Sequence, residues 1–244
     1  MDWHKRYVQQ AYWTKDLRTY LFRRTGLGTA RRVLEVGCGT GAILTDLDTS
    51  AAVHGIDLQE ASLRQAHQHA PRAILVCGDA LALPFADDVF EITFCHFLLL
   101  WVLDPLQALR EMKRVTHPGG SILALAEPDY NGRVDKPDEL AALGRWQVQA
   151  LQRQGADPGL GMRLAGLFRQ AGLRLIETGS LLADKQPAPA PGDKELEWAV
   201  LETDLAGWVP AEEIQRLKNL DERAWERGVR VLNVPTYWAY GRAG

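Results

Sequence analysis

The sequence predicts an α/β protein in which helices cover both faces of a mostly parallel sheet. Short apolar runs typical of strands alternate with helix-like segments, which is the order that right-handed strand–helix–strand crossovers produce. The run Phe90–Cys95 is nearly all apolar, as expected of a strand buried on both faces. The first strand also ends in a glycine-dense turn, residues 37–41, and turns at this place in α/β sheets bind nucleotides.

Seven strands are predicted, over residues 33–36, 52–58, 73–76, 90–95, 121–126, 173–182 and 234–240. Helices are predicted in the first thirty residues, after the glycine turn, at 60–69, from 105 to about 117, at 138–154 and 160–171, and twice within 193–228. Pro105 opens one of these helices and Gly172 follows the end of another, which are the positions that proline and glycine favour.

The composition is that of one ordinary globular domain, with 244 residues, of which 46% are hydrophobic and 24% are charged. We expect helical cap elements at about residues 1–25, 131–158 and 193–228. The net charge of −3 argues against a nucleic-acid partner. The longest apolar run, Phe94–Leu103, is too short to cross a bilayer, and no secretory signal is recognisable. The short apolar run predicts no membrane partner, and three cysteines without metal-ligand spacing predict a cytoplasmic protein with no metal site.

The glycine turn leaves two kinds of ligand open. Residues 37–42 satisfy the dinucleotide pattern G-x-G-x-x-A, and Asp57 lies 20 residues after Gly37, where a ribose-binding carboxylate is expected. Glu35 favours a different ligand, because a carboxylate beside the turn repels a pyrophosphate and attracts an ammonium or sulfonium group. S-adenosylmethionine carries both cations, together with an adenosine for Asp57. A purely structural turn is the third interpretation.

The order of motifs over residues 31–127 resembles that of class I S-adenosylmethionine-dependent methyltransferases of the ubiquinone-methylase-like, small-molecule type. The matching segments are Val33–Gly41, Gly55–Leu58, Gly78–Ala80 with Leu83–Phe85, Phe90–His96 and Arg114–Gly120. The tail Pro235–Arg242 resembles the last strand of such enzymes. The resemblance implies a Rossmann-like three-layer sandwich, with a seven-stranded, mostly parallel sheet whose last strand is antiparallel.

The resemblance also implies how the methionine and ribose parts of the cofactor are held. Glu35 would reach the amino group, the backbone of Gly37–Gly39 would lie along the methionine part, and Asp57 would accept both ribose hydroxyls with its two oxygens. Arg18, in the helical first segment, is a candidate partner for the cofactor carboxylate.

The adenine side of the implied site comes from the ends of the second and third strands. Leu58 would pack on the adenine face, Asp79 would accept its amino hydrogen, and Ala80 would donate its backbone N–H to a ring nitrogen. Asp57 and Asp79 have a second interpretation as helix N-caps. The complete predicted cofactor set is Arg18, Glu35, Gly37, Cys38, Gly39, Asp57, Leu58, Gly78, Asp79, Ala80 and Cys95.

The acceptor side is less determined by the sequence. His96 follows the fourth strand, where the family brings the methyl group to its substrate, and is a candidate general base, a substrate contact or a packed residue. The segment Glu127–Tyr130 either borders the pocket or caps the next helix. The aromatic first segment either belongs to the core or closes over the cofactor. The predicted substrate residues are Tyr12, Trp13, His96, Trp101 and Tyr130.

We therefore expect methyl transfer from S-adenosylmethionine to an O, N or C nucleophile of a small molecule, with S-adenosylhomocysteine as the product. Alignment of the reactants and exclusion of water would be the main contributions of the protein. The sequence after the fourth strand, residues 95–98, lacks the Asn-Pro-Pro-Tyr pattern of amino-methylating DNA enzymes. Two alternatives stay open: a non-catalytic S-adenosylmethionine-binding regulatory protein and a nicotinamide-dependent oxidoreductase.

Overall fold

The computed structural model of the chain describes residues 2–181 and 192–244. Its strands are β1 (Arg32–Val36), β2 (Ala52–Asp57), β3 (Ile74–Cys77), β4 (Phe90–Cys95), β5 (Thr116–Pro128), β6 (Val134–Lys136), β7 (Arg174–Leu181), β8 (Val231–Asn233) and β9 (Thr236–Arg242). Leu182, the last residue of the predicted sixth strand, lies outside the described residues.

Seven of these strands form one sheet in the order β3-β2-β1-β4-β5-β9-β7. Strands β1 to β5 run parallel to one another, whereas β9 is antiparallel to both of its neighbours, β5 and β7. The predicted seven-stranded, mostly parallel sheet with an antiparallel last strand is therefore confirmed. Strands β6 and β8 form a separate antiparallel pair that the sequence did not predict.

The described α-helices are α1 (Trp3–Trp13), α2 (Lys15–Thr25), α3 (Glu60–His69), α4 (Pro105–Val115), α5 (Ala141–Arg153), α6 (Leu160–Gln170), α7 (Asp193–Leu205) and α8 (Ala211–Glu226). The first segment is thus two helices that meet at Thr14. The helix predicted directly after the glycine turn is wrong, since the chain forms only a short 3₁₀ helix, Leu44–Asp46. The ten residues between Gly41 and β2 are too few for a longer helix and its return.

The two faces of the sheet are covered by different helices. Leu34 and Val36 of β1 point into the core cluster that includes α4 and α6. Val33 lies on the opposite face, in the cluster that α2 completes with Leu21 and Phe22. This alternation is the period of two that a strand imposes on its side chains. Helix α2 therefore packs against the sheet as part of the sandwich, whereas the sequence predicts all of residues 1–25 to be a cap element.

A third cluster lies among helices of the two later predicted cap segments. Leu143 of α5 packs with Trp198 and Leu201 of α7 and with Leu217 of α8. The β6–β8 pair lies in the same part of the chain, with β6 in contact with α5. None of the described helices combines the length and the apolar content that crossing a bilayer requires.

Candidate functional site

Four parallel strands end at one edge of the sheet, and most of the predicted cofactor residues lie there. Strand register places Val36 beside Ile56 and Cys95, and Asp57 beside Cys77. The residues that follow each strand are thereby brought to the same edge. In open α/β sheets this carboxyl edge is where ligands bind.

The glycine turn requires glycine at three positions. Gly37, Gly39 and Gly41 have φ of 73°, 51° and 80°, in the region that side chains disfavour. A methyl group on Gly37 would lie 2.6 Å from Leu98 Cδ1, and one on Gly39 would lie 3.2 Å from Tyr7 Cε2. The turn is therefore held closely from two sides, by the loop after β4 and by helix α1.

Asp57 ties the glycine turn to the end of β2. Its Oδ2 accepts the backbone N–H of Gly39 at 2.8 Å, and its Oδ1 accepts that of Gln59 at 2.8 Å. Each oxygen keeps a further lone pair for a ligand hydroxyl. Helix α3 begins at Glu60 after Gln59, so Asp57 is not its N-cap. The adjacent Leu58 is 70% exposed, which leaves an apolar surface beside the carboxylate.

The end of β3 carries the second predicted carboxylate. Asp79 is exposed, and its Oδ1 accepts the backbone N–H of Leu81 at 2.9 Å in a turn, with no helix following. The N-cap interpretation of Asp79 is therefore wrong. Gly78 packs closely, because a methyl group there would lie 2.8 Å from Ile56 Cδ1. Ala80 follows, half-buried.

Glu35 and Arg18 are two buried titratable side chains that lie behind the turn, close enough to influence each other's pKa. Their side chains come from β1 and α2, and both residues are under 5% exposed. Glu35 Oε2 and Arg18 Nε have no hydrogen-bond partner among the residues that the structure describes. Burial raises the pKa of Glu35 well above its ordinary value, while the Arg18 guanidinium acts in the opposite direction. Unsatisfied buried polar atoms are costly, so this pair fits a ligand carrying both an ammonium and a carboxylate.

The remaining contacts of Arg18 fix its side chain. Its Nη2 donates to the carbonyl of Ala11 at 2.9 Å and lies 3.4 Å from Asp46 Oδ2. Burial lowers the pKa of Arg18, and Asp46 and Glu35 oppose that shift. The guanidinium is thus fixed on one side and leaves Nε available for a ligand.

His96 is a neutral, fixed side chain. Its Nε2 lies 3.0 Å from Thr14 Oγ1, at the junction of α1 and α2. Burial, with a smaller contribution from Arg18, lowers the pKa of His96 to about 3. A histidine with this pKa is a weak proton acceptor near neutral pH. The geometry therefore favours a positioning or hydrogen-bonding role for His96 over a general-base role.

Cys38 and Cys95 point into the core and not toward a ligand. Both are under 5% exposed, and burial raises the pKa of each thiol. The Cys38 sulfur packs against Gly55, where a methyl group would lie 2.9 Å from it. A cofactor contact from either residue would have to come from its backbone.

Helix α1 covers the turn through residues that the sequence analysis did not select. His4 Nδ1 lies 2.8 Å from Thr40 Oγ1, and the His4 ring stacks on that of His69 with centroids 3.4 Å apart. Tyr7 lies on Gly39, as described above. The predicted residues Tyr12 and Trp13 are instead 66% and 46% exposed. The spacing of the aromatic residues predicts a helix, but it does not show that the face with Tyr7, and not the face with Tyr12, meets the glycine turn.

Trp101 and Tyr130, the remaining predicted substrate residues, lie on different elements. Trp101 ends the 3₁₀ helix Leu99–Trp101 and is 46% exposed. Tyr130 is half-buried, and burial raises the pKa of its hydroxyl. Arg6 and Glu197 are among the charged groups that act on it.

Glu127 is a buried carboxylate that binds the backbone of the loop after β4, a role that the sequence does not predict. It is 0% exposed. Its Oε1 accepts the backbone N–H groups of Leu98 and Leu99 at 3.1 and 2.9 Å, and its Oε2 accepts that of Leu100 at 3.2 Å. Burial raises the pKa of Glu127 to about 7, although these three bonds favour its ionised form. A glutamate at a strand end gives no sequence signal that distinguishes this role from a pocket residue.

A chain of buried ion pairs connects α1 to the later helices. The successive pairs are Arg6–Glu197, Glu197–Arg133, Arg133–Asp135, Asp135–Arg230 and Arg230–Asp221. The side chains of Arg133, Asp135 and Arg230 are at most 2% exposed. Sequence spacing gives no sign of this network, because its members are up to 224 positions apart, from Arg6 to Arg230.

The chain is similar to known methyltransferases. Residues 34–124 match the family model described as "Methyltransferase domain". A demethylmenaquinone methyltransferase from Lysinibacillus sphaericus is 31% identical over 185 residues, which cover 67% of this chain and 77% of the relative. A malonyl-[acyl-carrier protein] O-methyltransferase from Halorhodospira halophila is 42% identical over 99 residues, covering 38% of this chain and 34% of the relative. The chain spans less than half of the length of most of the curated relatives that it matches.

Solved structures share the fold over most of the chain. A protein from Bacillus halodurans described as a methyltransferase aligns with a TM-score of 0.65 and 18% identity, covering 92% of this chain and 97% of that chain. Geranyl diphosphate methyltransferase in complex with S-adenosylmethionine aligns with a TM-score of 0.57 and 12% identity, covering 94% and 85%. Identities this low show the fold alone. The segment matched by the family model contains the four strand ends described above and leaves the later cap helices outside it.

Proposed function

The chain belongs to the class I S-adenosylmethionine-dependent methyltransferases, and from this premise we propose that it transfers a methyl group to an O, N or C atom of a small molecule. The observation that carries the proposal is the buried pair Glu35 and Arg18 beside the glycine turn. Each leaves one polar atom without a partner among the described residues. S-adenosylmethionine supplies a sulfonium-activated methyl group and presents an ammonium and a carboxylate to such a pair.

The remaining cofactor contacts follow from the strand ends. Asp57 would accept the ribose hydroxyls with the lone pairs that Gly39 and Gln59 leave free. The exposed Leu58 would pack on the adenine, and Asp79 and Ala80 would bind its edge. Gly78 would allow that approach, together with the backbone of Gly37, Cys38, Gly39 and Cys95.

The same pair argues against a nicotinamide dinucleotide. A pyrophosphate over the glycine turn would place two negative charges near Glu35, and they would repel its ionised form, which burial already disfavours. Arg18 would offset part of this repulsion, but its Nη2 is already engaged with Ala11 and Asp46. A zwitterionic ligand suits both members of the pair.

The protonation state of His96 narrows the chemistry of the acceptor. A histidine with a pKa near 3 is uncharged at neutral pH and is too weak a base to deprotonate an alcohol. We therefore propose an acceptor whose nucleophilic atom is already ionised or can attack without first losing a proton to His96. The protein would then contribute alignment and exclusion of water, with His96 as a hydrogen-bonding contact.

The acceptor would enter from the cap side, past the loop after β4. Trp101, Tyr130, Tyr12 and Trp13 remain proposed acceptor contacts, of which the half-buried Tyr130 has the surroundings best suited to the role. The relatives are named for malonyl-[acyl-carrier protein] and demethylmenaquinone as acceptors. We propose a small organic acceptor of this kind, and not a nucleic acid. A cytoplasmic location would suit the free thiols of this chain.

Calorimetry with S-adenosylhomocysteine and with NAD tests the cofactor. We expect S-adenosylhomocysteine to bind and NAD to show no binding. Binding of NAD alone would contradict the proposal. Asp57→Ala should lower the S-adenosylhomocysteine affinity by about 1–3 kcal/mol, the scale for hydrogen bonds to a charged group. The exposed Asp48 offers the matched control, Asp48→Ala, which should bind as the wild type does.

Turnover separates an enzyme from a regulatory cofactor-binding protein. Incubation with S-adenosylmethionine labelled in its methyl group and a panel of carboxylic acids, phenols, quinols and amines should transfer label to at least one compound. The panel should be repeated with Asp57→Ala, which should lose most of the transfer at low cofactor concentration. Tight binding without transfer to any compound of the panel would favour the regulatory alternative.

A further inference from the structure

The loop after β4 is held in a conformation that its own sequence does not favour. Phe97 has φ of 52°, a left-handed conformation that bulky side chains rarely adopt and that the surroundings must maintain. Its backbone N–H donates to the carbonyl of Ala126 at 2.9 Å. The next three N–H groups, of Leu98, Leu99 and Leu100, all donate to the Glu127 carboxylate.

These three donors are the ones that the following 3₁₀ helix, Leu99–Trp101, leaves unpaired at its start. Glu127 therefore takes the place that water or a capping side chain would fill. It does so from a neighbouring strand, β5, and at a point buried from solvent. The backbone from Ala126 to Glu127 thus determines the position of residues 97–100.

The same loop supports the proposed cofactor site. The Leu98 side chain lies against Gly37, where a methyl group would lie 2.6 Å from Leu98 Cδ1. His96, at the start of the loop, bonds with Thr14 under helix α1. A shift of residues 97–100 would therefore remove the support of the glycine turn and move His96.

We propose that Glu127 is a positioning residue of the methyl-transfer site, which acts by fixing the loop whose Leu98 supports the glycine turn. The proposal rests on the proposed function, because it assigns the loop to a cofactor site. Glu127 itself is expected to touch neither cofactor nor acceptor. It differs in this from Glu35, which lies at the turn and has an oxygen left for a ligand.

A carboxylate suits this position better than an amide. Three backbone donors converge on two oxygens, and an ionised carboxylate accepts at both. In Glu127→Gln one oxygen becomes an NH₂ group, which would face a backbone N–H and leave at least one donor unpaired. The titratable neighbours across the adjoining strands are the Cys95 thiol and Tyr237, which pairs with Glu127 in the sheet register.

The test compares Glu127→Gln with Glu91→Gln. Glu91 is the matched control, since it lies near the start of β4, at the edge of the sheet opposite to the loop, and accepts one backbone N–H, that of Arg32 at 2.7 Å. Hydrogen exchange should be about tenfold faster at the amides of residues 98–100 in Glu127→Gln, the effect of losing one hydrogen bond in a local opening. Glu91→Gln should leave these amides unchanged.

Calorimetry with S-adenosylhomocysteine gives the functional readout. At pH 8 we expect binding at least about fivefold weaker in Glu127→Gln than in the wild type, and unchanged binding in Glu91→Gln. At pH 6 the wild-type carboxylate would be largely protonated, so the difference should shrink to about twofold or less. A residue that only stabilises the fold would lower the unfolding temperature without this pH-dependent difference in affinity.

Each outcome decides between the proposals. Equal affinities of the wild type and Glu127→Gln at pH 8 would contradict the positioning role alone. A wild type that does not bind S-adenosylhomocysteine would contradict the proposed function and, with it, the positioning role. If Glu127→Gln does not fold, Leu98→Ala serves instead, because it removes the side chain that lies against Gly37, and it should weaken the binding of S-adenosylhomocysteine at least about fivefold. Unchanged affinity in a folded Leu98→Ala variant would overturn the proposal.

Discussion

Tyr7 of helix α1 packs directly on Gly39 of the glycine turn. A methyl group on Gly39 would lie 3.2 Å from Tyr7 Cε2, and the Asp57 carboxylate that holds the Gly39 N–H also raises the pKa of Tyr7, in addition to burial. The helix over the site and the turn within it are therefore one packed unit. The His4 contact with Thr40 adds to this unit from the same helix.

Gly39→Ala is expected to destabilise the protein by about 1–3 kcal/mol, because φ of 51° is strained for alanine and the new methyl group meets Tyr7. Urea unfolding measures the loss. Gly28→Ala is the control, since a methyl group there meets no atom within 4 Å. In Tyr7→Ala the steric part of the cost should disappear and the backbone part should remain. A Gly39→Ala variant as stable as Gly28→Ala would contradict the described turn.

Asp135→Asn should be far more damaging than Asp138→Asn, three positions away. Asp135 is 1% exposed in its side chain and pairs with both Arg133 and Arg230, at 2.8 and 2.7 Å. Neutralising Asp135 removes a negative partner from the buried guanidinium groups of Arg133 and Arg230, which should lower the free energy of unfolding by about 3–5 kcal/mol. Asp138 pairs with Lys136 at the surface, and such pairs contribute at most about 1 kcal/mol. Unfolding curves in urea compare the two, and equal losses would show that the network is not buried in solution.

The sequence was sufficient for the parts of the molecule that depend on local pattern. Strand β4 and helix α3 have the predicted bounds, Phe90–Cys95 and Glu60–His69, because apolar periodicity and boundary residues define them. The carboxyl-edge position of Asp57 also follows, since parallel strands end together.

The rest of the site depends on contacts between distant segments. Glu127 meets the loop after β4 across about 28 positions, and Tyr7 meets Gly39 across 32. A helical period shows that α1 is amphipathic but does not show whether Tyr7 or Tyr12 faces the turn. The composition of the short segment after Gly41 predicts a helix. Only ten residues separate Gly41 from strand β2, however, so the segment forms a single 3₁₀ turn.

Leu58→Ala is expected to weaken the binding of S-adenosylhomocysteine by about three- to tenfold while leaving stability within about 0.5 kcal/mol of the wild type. Leu58 is 70% exposed, so its side chain contributes little to folding and would be buried by an adenine. Leu103→Ala removes the same atoms at a position that is 91% exposed and outside the predicted cofactor set. Calorimetry on both variants separates the two effects. Equal affinities would remove Leu58 from the adenine site.

The pH dependence of stability tests the neutral state of His96. Its pKa is about 3 in the folded chain against 6.5 ordinarily, so below pH 6.5 the unfolded chain binds a proton that the folded chain does not. The contribution of His96 is therefore complete above pH 6.5 and is lost as the pH falls toward 3, by up to about 1.4 kcal/mol per pH unit.

Glu127 acts in the opposite direction between pH 4.5 and 7, because its folded pKa is raised to about 7. Glu35, whose pKa is also raised by burial, acts in the same direction as Glu127, so the difference between a His96 variant and the wild type is the useful quantity. His96→Gln keeps a hydrogen-bonding group near Thr14 but cannot titrate. As the pH falls from 6 to 4, the free energy of unfolding of His96→Gln should rise relative to that of the wild type by about 1 kcal/mol for each pH unit. A difference between His96→Gln and the wild type that stays constant with pH would mean that His96 titrates alike in the folded and unfolded chains, and is not held neutral by burial.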